Sequence, residues 1–320
     1  MSETGSPAGS KRPFRFLAAA NDVVDGKTLA EKARRAEGMG FSLLVIPDHL
    51  IDQLSPIPAM ATIAAATETL RVGTFVFNND LRHPAVLAQD LASLDVLSDG
   101  RLEIGMGAGW NRPEYEAIGL TFDPVGTRVA RMEEGVAVFK GLFADEPLTF
   151  KGEHYTITAM DGRPKPVQRP HPPFLIGGGG RRILEFAARE ADIVGLAPRI
   201  KNGHGDPLSV TAAATVEKIE WVRQAAGDRF DELEFNSYPT LSQPIVTDDA
   251  RGEAEKLAAR LQDRAPITAD ELLDSPHIFI GSIEGLVEKF KTLRQRFGIS
   301  SIMVGDMDEL APVVERLAGT

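Results

Sequence analysis

Short apolar runs alternate with amphipathic stretches from residue 14 to the C-terminal end of the chain. The run Ser42–Ile46 is almost wholly apolar, which is typical of a strand that is buried on both faces. The pattern predicts eight strands, at Phe14–Ala20, Ser42–Ile46, Val72–Phe77, Leu102–Met106, Phe174–Ile176, Asp192–Leu196, Glu234–Tyr238 and Ser301–Val304. Strands that alternate with helices in this way form a parallel sheet.

Helical periodicity fills the gaps between these runs. In Lys27–Met39, for example, Leu29, Ala33 and Ala36 share one face. Further helices are predicted at Pro58–Ala66, from Pro84 to about Gly100, through Val129–Phe143, and at Arg182–Glu190, Thr211–Ala226, Ala254–Leu261, Ile283–Leu293 and Leu310–Leu317. Eight such units favour an α/β fold of the (β/α)8 TIM-barrel type over an open, doubly wound sheet.

Two irregular stretches interrupt the alternation. Residues 144–173 contain six prolines and a hairpin-like piece at Leu148–Ile157, and residues 243–276 form a second insertion. We expect one barrel domain over residues 14–320, because strands continue in the same rhythm beyond the first insertion. A two-domain arrangement with a boundary near Pro164–Pro173 is the alternative. Residues 1–13 are rich in Ser, Gly and Pro and predict a disordered tail.

Charge and cysteine content restrict the functional classes. The chain has 35 basic and 46 acidic residues, a formal net charge of -11, and no cysteine. Without a basic run, nucleic-acid binding is not expected, since phosphate contacts need Lys and Arg. The N-terminal residues do not form a signal peptide, and no run approaches the ~18 apolar residues of a membrane helix. The prediction is a cytoplasmic protein that does not act at a membrane.

Glycine and polar residues follow the predicted strands, where a barrel of this type binds its ligands. The clearest feature is the tetraglycine Gly177–Gly180, which precedes a helix and could bring backbone amides to a phosphate. A flexible turn is the alternative. The alternate glycines of Gly105–Gly109 would either let a flat ring approach or pack tightly inside the barrel. Their spacing does not match a dinucleotide fingerprint.

The best titratable pair is Asp48 and His49, directly after the second strand. Histidine can transfer a proton near neutral pH, although a histidine in a loop often has no such role. Neighbouring strand residues face opposite sides, so we do not expect Asp48 to orient His49. The other histidines lack metal-ligand spacing, and no nucleophile elbow occurs. We therefore expect no metal site, no zinc hydrolase and no serine hydrolase.

Several sequence runs resemble the luciferase-like monooxygenase superfamily. They are Phe41–His49 (FSLLVIPDH), Arg71–Thr74 (RVGT), Arg82–Ala88 (RHPAVLA) and Leu94–Trp110 (LDVLSDGRLEIGMGAGW). The last run is the most specific, and it is more similar to the actinobacterial branch that uses coenzyme F420 than to bacterial luciferase. The resemblance is good from Phe14 to Glu190 and loose beyond.

The resemblance implies a bacterial-luciferase-like barrel that holds coenzyme F420, or alternatively FMN, with its ring over the barrel mouth. It implies a non-prolyl cis peptide at Phe75–Val76 under the ring, Asp48 and His49 as catalytic residues, and often a homodimer. The implied cofactor-binding residues are Phe75, Val76, Asn78, Ala108, Gly109, Trp110, Gly177, Gly178, Gly179 and Gly180. Trp110 occupies the position at which sugar-phosphate dehydrogenases of the family carry an acidic residue.

These observations predict an oxidoreductase that transfers a hydride between F420 and a small-molecule substrate, apolar or aromatic because Trp110 cannot act as an acid. The alternative is an FMN-dependent two-component monooxygenase. A cofactor-free aldolase or isomerase barrel is disfavoured, because no predicted strand carries a Schiff-base lysine. A non-catalytic flavin-binding barrel is a further alternative, and it would bind cofactor without turnover.

Overall fold

The computed structural model describes residues 12–22, 24–201, 204–305 and 307–320. The predicted tail therefore lies outside the described residues apart from Arg12 and Pro13. The strands are β1 Arg15–Ala19, β2 Leu43–Ile46, β3 Arg71–Thr74, β4 Phe77–Asn78, β5 Leu102–Gly107, β6 Leu148–Lys151, β7 Thr156–Met160, β8 Phe174–Gly178, β9 Ile193–Leu196, β10 Ile200–Lys201, β11 His204–Gly205, β12 Glu234–Ser237, β13 Ile245–Val246, β14 Ile280–Gly281 and β15 Ile299–Met303.

Eleven α-helices lie between or after these strands in the described ranges. They are α1 Gly26–Gly38, α2 Pro56–Ala66, α3 Pro84–Leu97, α4 Arg112–Ala117, α5 Val125–Phe143, α6 Arg181–Glu190, α7 Ala212–Ala226, α8 Ala250–Leu261, α9 Ala269–Asp274, α10 Ile283–Phe297 and α11 Met307–Leu317. None of these helices is both long enough and apolar enough to cross a membrane, as far as the described residues extend.

Eight parallel strands form a closed barrel, which confirms the predicted fold class. Hydrogen bonding runs in the order β3-β2-β1-β15-β12-β9-β8-β5, and β5 pairs with β3 to close the ring. All four residues of β2 are buried, as the apolar run Ser42–Ile46 predicted. The third predicted strand, Val72–Phe77, is wrong in one respect: the chain leaves the sheet after Thr74 and resumes pairing at Phe77 as β4.

The chain divides into two compact units, and each contains buried apolar residues. The first comprises the described residues of Met1–Ala19, Gly38–Ser42 and Gly177–Thr320. In it, the predicted stripe of α10 is buried, with Leu286 and Phe290 fully inaccessible. The segment 243–276 contributes to a separate small cluster of Leu257, Leu261, Ile267, Leu272, Ile278 and Ile280. Whether the chain is one functional domain stays a prediction.

The second unit comprises Ala20–Glu37 and Leu43–Ile176. Its interior includes Val45, Met60 and Ile104, all inaccessible to solvent. Within residues 144–173, β6 and β7 pair as an antiparallel hairpin, close to the predicted Leu148–Ile157. Glu134 on α5 accepts hydrogen bonds from the amides of Glu153, His154 and Tyr155, which fixes the hairpin turn on the helix.

His277 is a buried histidine in the first unit. Its ring is fully inaccessible, and Nδ1 lies 3.3 Å from both Ser237 Oγ and Tyr238 O. Burial, and after it the charge of Lys218, lowers the pKa of His277 from 6.5 to about 3. The folded protein therefore holds this ring neutral at pH values where the unfolded chain would protonate it.

This histidine predicts a loss of stability in mild acid. Below the unfolded pKa of 6.5, only the unfolded chain binds the proton, so stability falls as the pH falls towards the folded value. Between pH 6.5 and pH 5 the contribution of His277 should be a loss of about 2 kcal/mol. Urea unfolding of the wild type and of His277→Leu at both pH values measures it. An equal pH dependence in both proteins would contradict the prediction, and His204→Gln, an exposed site, is the control.

Candidate functional site

Asp48 lies two residues beyond β2 and is 3% exposed. Its Oδ2 accepts hydrogen bonds from Arg82 Nη1 at 2.6 Å and from the Asn78 amide at 3.1 Å. The carboxylate therefore joins the end of β2 to the chain around β4. Asp48 turns to these two groups and does not orient His49, as strand alternation predicted.

His49 is oriented by Glu114, a residue that sequence reasoning missed. Its Nδ1 lies 2.9 Å from Glu114 Oε1 and 3.1 Å from Oε2, and the Glu114 side chain is 6% exposed. A carboxylate accepts, so Nδ1 carries the hydrogen and donates it. Nε2 then remains for a ligand, because no described residue forms a hydrogen bond with it. This arrangement fixes the imidazole's tautomer and plane.

Trp110 packs beside the same imidazole. The two ring centroids are 5.7 Å apart and the rings are nearly perpendicular. Half of Trp110 is exposed, and the residues after His49, Leu50 and Ile51, are also more than half exposed. The accessible surface next to the imidazole is therefore apolar on the side of Trp110.

Tyr115 anchors the short helix α4 that carries Glu114. Its side chain is inaccessible, and Oη lies 2.9 Å from Asn78 Oδ1 and 3.0 Å from Asp80 Oδ2. Burial and the nearby charge of Asp80 raise the pKa of Tyr115, so the phenol stays a neutral donor. Asp80 is itself paired with Arg131 Nη1 at 2.9 Å. This buried network places Glu114 against His49.

Gly109 allows α4 to approach β4. It has a φ of +74°, and a Cβ there would overlap Tyr115 Oη and lie 2.6 Å from Asn78 Oδ1. Its carbonyl accepts a hydrogen bond from Arg128 Nη1 at 2.9 Å. Both the positive φ and the close approach require glycine at this position. Ala108, just before it, is 8% exposed.

The neighbouring glycines of β5 pack against the chain after β3. A Cβ on Gly105 would overlap the Thr74 carbonyl oxygen, and one on Gly107 would lie 2.6 Å from Val76 Cγ2. Of the two explanations for this glycine run, these contacts favour packing inside the barrel. The peptide bond between Phe75 and Val76 is cis, at the position that the resemblance implied.

The tetraglycine Gly177–Gly180 belongs to the other unit and leads into α6. Gly178 packs on Ile183 and Gly179 on the backbone of Pro198, so two of the four glycines are explained by close contacts. A Cβ on Gly180 would meet no atom within 4 Å, which leaves that side of the loop open. The first turn of α6 contains no acidic residue.

The structure thus brings Asp48, His49, Asn78, Gly109 and Trp110 together in one unit, around the missed residues Glu114, Tyr115 and Arg82. The role of Gly177–Gly180, and of every predicted cofactor contact, stays a prediction. Over the described ranges, no group of three or more His, Asp or Glu side chains is placed to hold a metal ion.

Comparison with known proteins places the chain in a family. The family model of the luciferase-like monooxygenases matches residues 12–300. The chain belongs to this family. An F420-dependent glucose-6-phosphate dehydrogenase of Kineococcus radiotolerans is 34% identical to it over 195 residues, 58% of this chain and 56% of that protein. An FMNH2-dependent dimethylsulfone monooxygenase of Pseudomonas putida is 33% identical over 130 residues, 41% of this chain and 36% of that protein.

Solved structures agree with this family fold. A coenzyme F420-dependent tetrahydromethanopterin reductase from Methanopyrus kandleri superposes with a TM-score of 0.75 at 19% identity, over 96% of this chain and 98% of its own. An F420-dependent secondary alcohol dehydrogenase, in complex with an F420–acetone adduct, gives 0.72 at 19% identity, over 95% and 98% of the two chains. At these identities the likeness concerns the fold. The chain spans roughly half or less of the length of the two curated relatives above.

Proposed function

We propose that this luciferase-like protein is an oxidoreductase that transfers a hydride between coenzyme F420 and a small apolar or aromatic organic molecule. The observation that carries the proposal is the imidazole of His49, held at Nδ1 by Glu114 and flanked by Trp110. When bound, the deazaflavin would supply the hydride chemistry at its C5 atom, while the protein supplies orientation and proton transfer.

His49 is the proposed catalytic residue. Because Glu114 fixes Nδ1 as the donor, Nε2 is the atom that would hydrogen-bond a substrate oxygen and give or take the proton that accompanies the hydride. The side chain is 25% exposed, which leaves the ring edge accessible to a small molecule. The proposed role of Asp48 is structural, because its Oδ2 already accepts hydrogen bonds from Arg82 and from the Asn78 amide.

The tetraglycine loop is the proposed contact for the cofactor's phosphate. The loop is open at Gly180, and α6 follows it with Arg181 and Arg182 at the start of its first turn. A helix N-terminus with basic and without acidic residues suits an anion. These groups fit the phosphate of F420, and equally that of FMN.

The substrate class rests on Trp110. An indole offers an apolar face and no acidic group, so it does not suit a sugar phosphate. Leu50 and Ile51, which follow His49 in the chain, are two further apolar residues that are more than half exposed. We therefore propose an apolar or aromatic substrate, although the relative from Kineococcus radiotolerans is named for glucose 6-phosphate.

A cofactor titration tests the proposal. We expect F420 to change its fluorescence saturably when it is added to the apo-protein, with an affinity at least about tenfold higher than that of FMN, about 1.4 kcal/mol. The FMNH2-dependent relative makes an FMN-dependent monooxygenase the second candidate. Clear preference for FMN would favour that candidate, and binding of neither cofactor would overturn both.

A further inference from the structure

Lys218 is a buried cation outside the candidate site. It lies on α7 and is 1% exposed. Its Nζ donates to two backbone carbonyls, Ala197 O and Ser209 O, each at 2.6 Å. Among the described residues, no carboxylate forms an ion pair with it. A buried ammonium without a carboxylate is costly, so its two carbonyl partners must be held firmly in place.

Those two carbonyls lie at the two ends of one chain segment, residues 197–209. Inside it, Ser209 Oγ accepts from the Arg199 amide at 2.8 Å and donates to Asp206 O at 2.7 Å. The short strands β10 and β11 pair antiparallel within the same segment. Lys218 therefore joins both ends of this segment to α7 by hydrogen bonds.

The tetraglycine loop is in direct contact with this segment. The Ala197 amide donates to Gly178 O at 3.0 Å. A Cβ on Gly179 would overlap the Pro198 carbonyl and lie 2.5 Å from the Arg199 nitrogen. Since the backbones are in contact without a side chain between them, we expect a displacement of residues 197–199 to be transmitted to Gly178 and Gly179.

We infer that Lys218 is a positioning residue, which holds the tetraglycine loop in its phosphate-binding conformation through Ala197 and the Pro198–Arg199 backbone. The inference rests on the proposed function only for the identity of the ligand, a phosphate group of the bound cofactor. Lys218 itself does not contact that phosphate. It acts through the hydrogen bond and the backbone contact described above.

The charge of Lys218 is sensitive to pH. Burial, and after it the nearby Arg199, lowers the pKa of Lys218 to about 8, while Asp206 and Glu217 act in the opposite direction. His277, which follows α9 and interacts electrostatically with Lys218, is neutral at this pH. Hydrogen bonds to a charged donor are stronger than those to a neutral one. The hydrogen bonds from Lys218 to Ala197 O and Ser209 O should therefore weaken as the pH rises through about 8.

Lys218→Met tests the inference, because it keeps the unbranched apolar part of the side chain and removes the donor. In the apo-protein we expect amide hydrogen exchange to accelerate about tenfold in the non-proline residues of 177–180, 197–201 and 204–209, and the Kd for F420 to rise by about the same factor. Lys256→Met, on the exposed face of α8, is the matched control and should change neither quantity. Unchanged exchange in a folded Lys218→Met protein would overturn the inference.

A second measurement needs neither the variant nor the cofactor. In the wild-type apo-protein, the amide resonances of Gly178 and Ala197 should shift with a common midpoint near pH 8. If the Nζ resonance of Lys218 titrates and these two amides do not shift with it, the inference is overturned even if Lys218→Met does not fold. If the wild type binds neither F420 nor FMN, the proposed function fails, while exchange and resonances still decide the role of Lys218.

Discussion

His49→Gln should lower the turnover of a cofactor-loaded enzyme by about 10²–10⁴-fold, which is the usual contribution of a positioned acid or base. Glutamine can still donate a hydrogen bond, but it cannot exchange a proton at neutral pH. The affinity for cofactor should change little, because the proposed phosphate contact lies at Gly177–Gly180. The rate is measured as single-turnover oxidation of reduced F420 with a panel of aromatic and aliphatic carbonyl compounds, or as reduction of oxidised F420 with the corresponding alcohols.

Two further variants separate a proton role from a structural one. Glu114→Gln keeps a hydrogen-bond acceptor near Nδ1 but removes the charge, so turnover should fall by a smaller factor, about tenfold or more. His204→Gln places the same substitution on an exposed histidine and should leave turnover unchanged. If His49→Gln retains wild-type turnover, the proton is exchanged elsewhere and the proposed role of His49 is wrong.

The barrel could be predicted from sequence because its strands are buried on both faces. A buried parallel strand is usually rich in apolar residues, and Leu43–Ile46 is wholly apolar and wholly buried. The stripe of α10 was equally readable, since Leu286, Phe290 and Leu293 recur at helical spacing and are all buried. The break after Thr74 had no such signal, because Phe75 and Val76, which lie between β3 and β4, are apolar like the residues of a buried strand.

The candidate site could be predicted only in part, because contacts between residues distant in sequence determine its geometry. Helix α4 has six residues, too few for a periodic stripe, and Tyr115 stabilises it by bonding to Asn78 and Asp80. Pro113, near the start of α4, was a local sequence signal for the beginning of a helix. Glu114 therefore could not be linked to His49, which lies 65 positions earlier. For the glycines, sequence cannot say whether a ligand or the protein occupies the place of the missing Cβ.

Asp48 also depends on contacts that are distant in sequence, and we expect its substitution to lower the stability of the fold. Asp48→Ala should lower the free energy of unfolding by about 2–4 kcal/mol, because Arg82 loses its partner and the buried Asn78 amide is left without an acceptor. Asp48→Asn can still accept from that amide, so it should lose less. Urea unfolding compares both with Asp52→Ala, an exposed carboxylate in the same loop that should behave like the wild type.

The same variants decide between the two roles of this carboxylate. The resemblance implies that Asp48 is catalytic, whereas its hydrogen bonds commit Oδ2 to Arg82 and Asn78. If the bonds describe its role, turnover of Asp48→Asn at a temperature where the protein is folded should fall far less than that of His49→Gln. A loss of turnover as large as that of His49→Gln, with an unchanged urea midpoint, would instead assign Asp48 to the chemistry. Wild-type stability in Asp48→Ala would show that the Arg82 pair contributes nothing, because solvent reaches Arg82, which is 25% exposed, and replaces its partner.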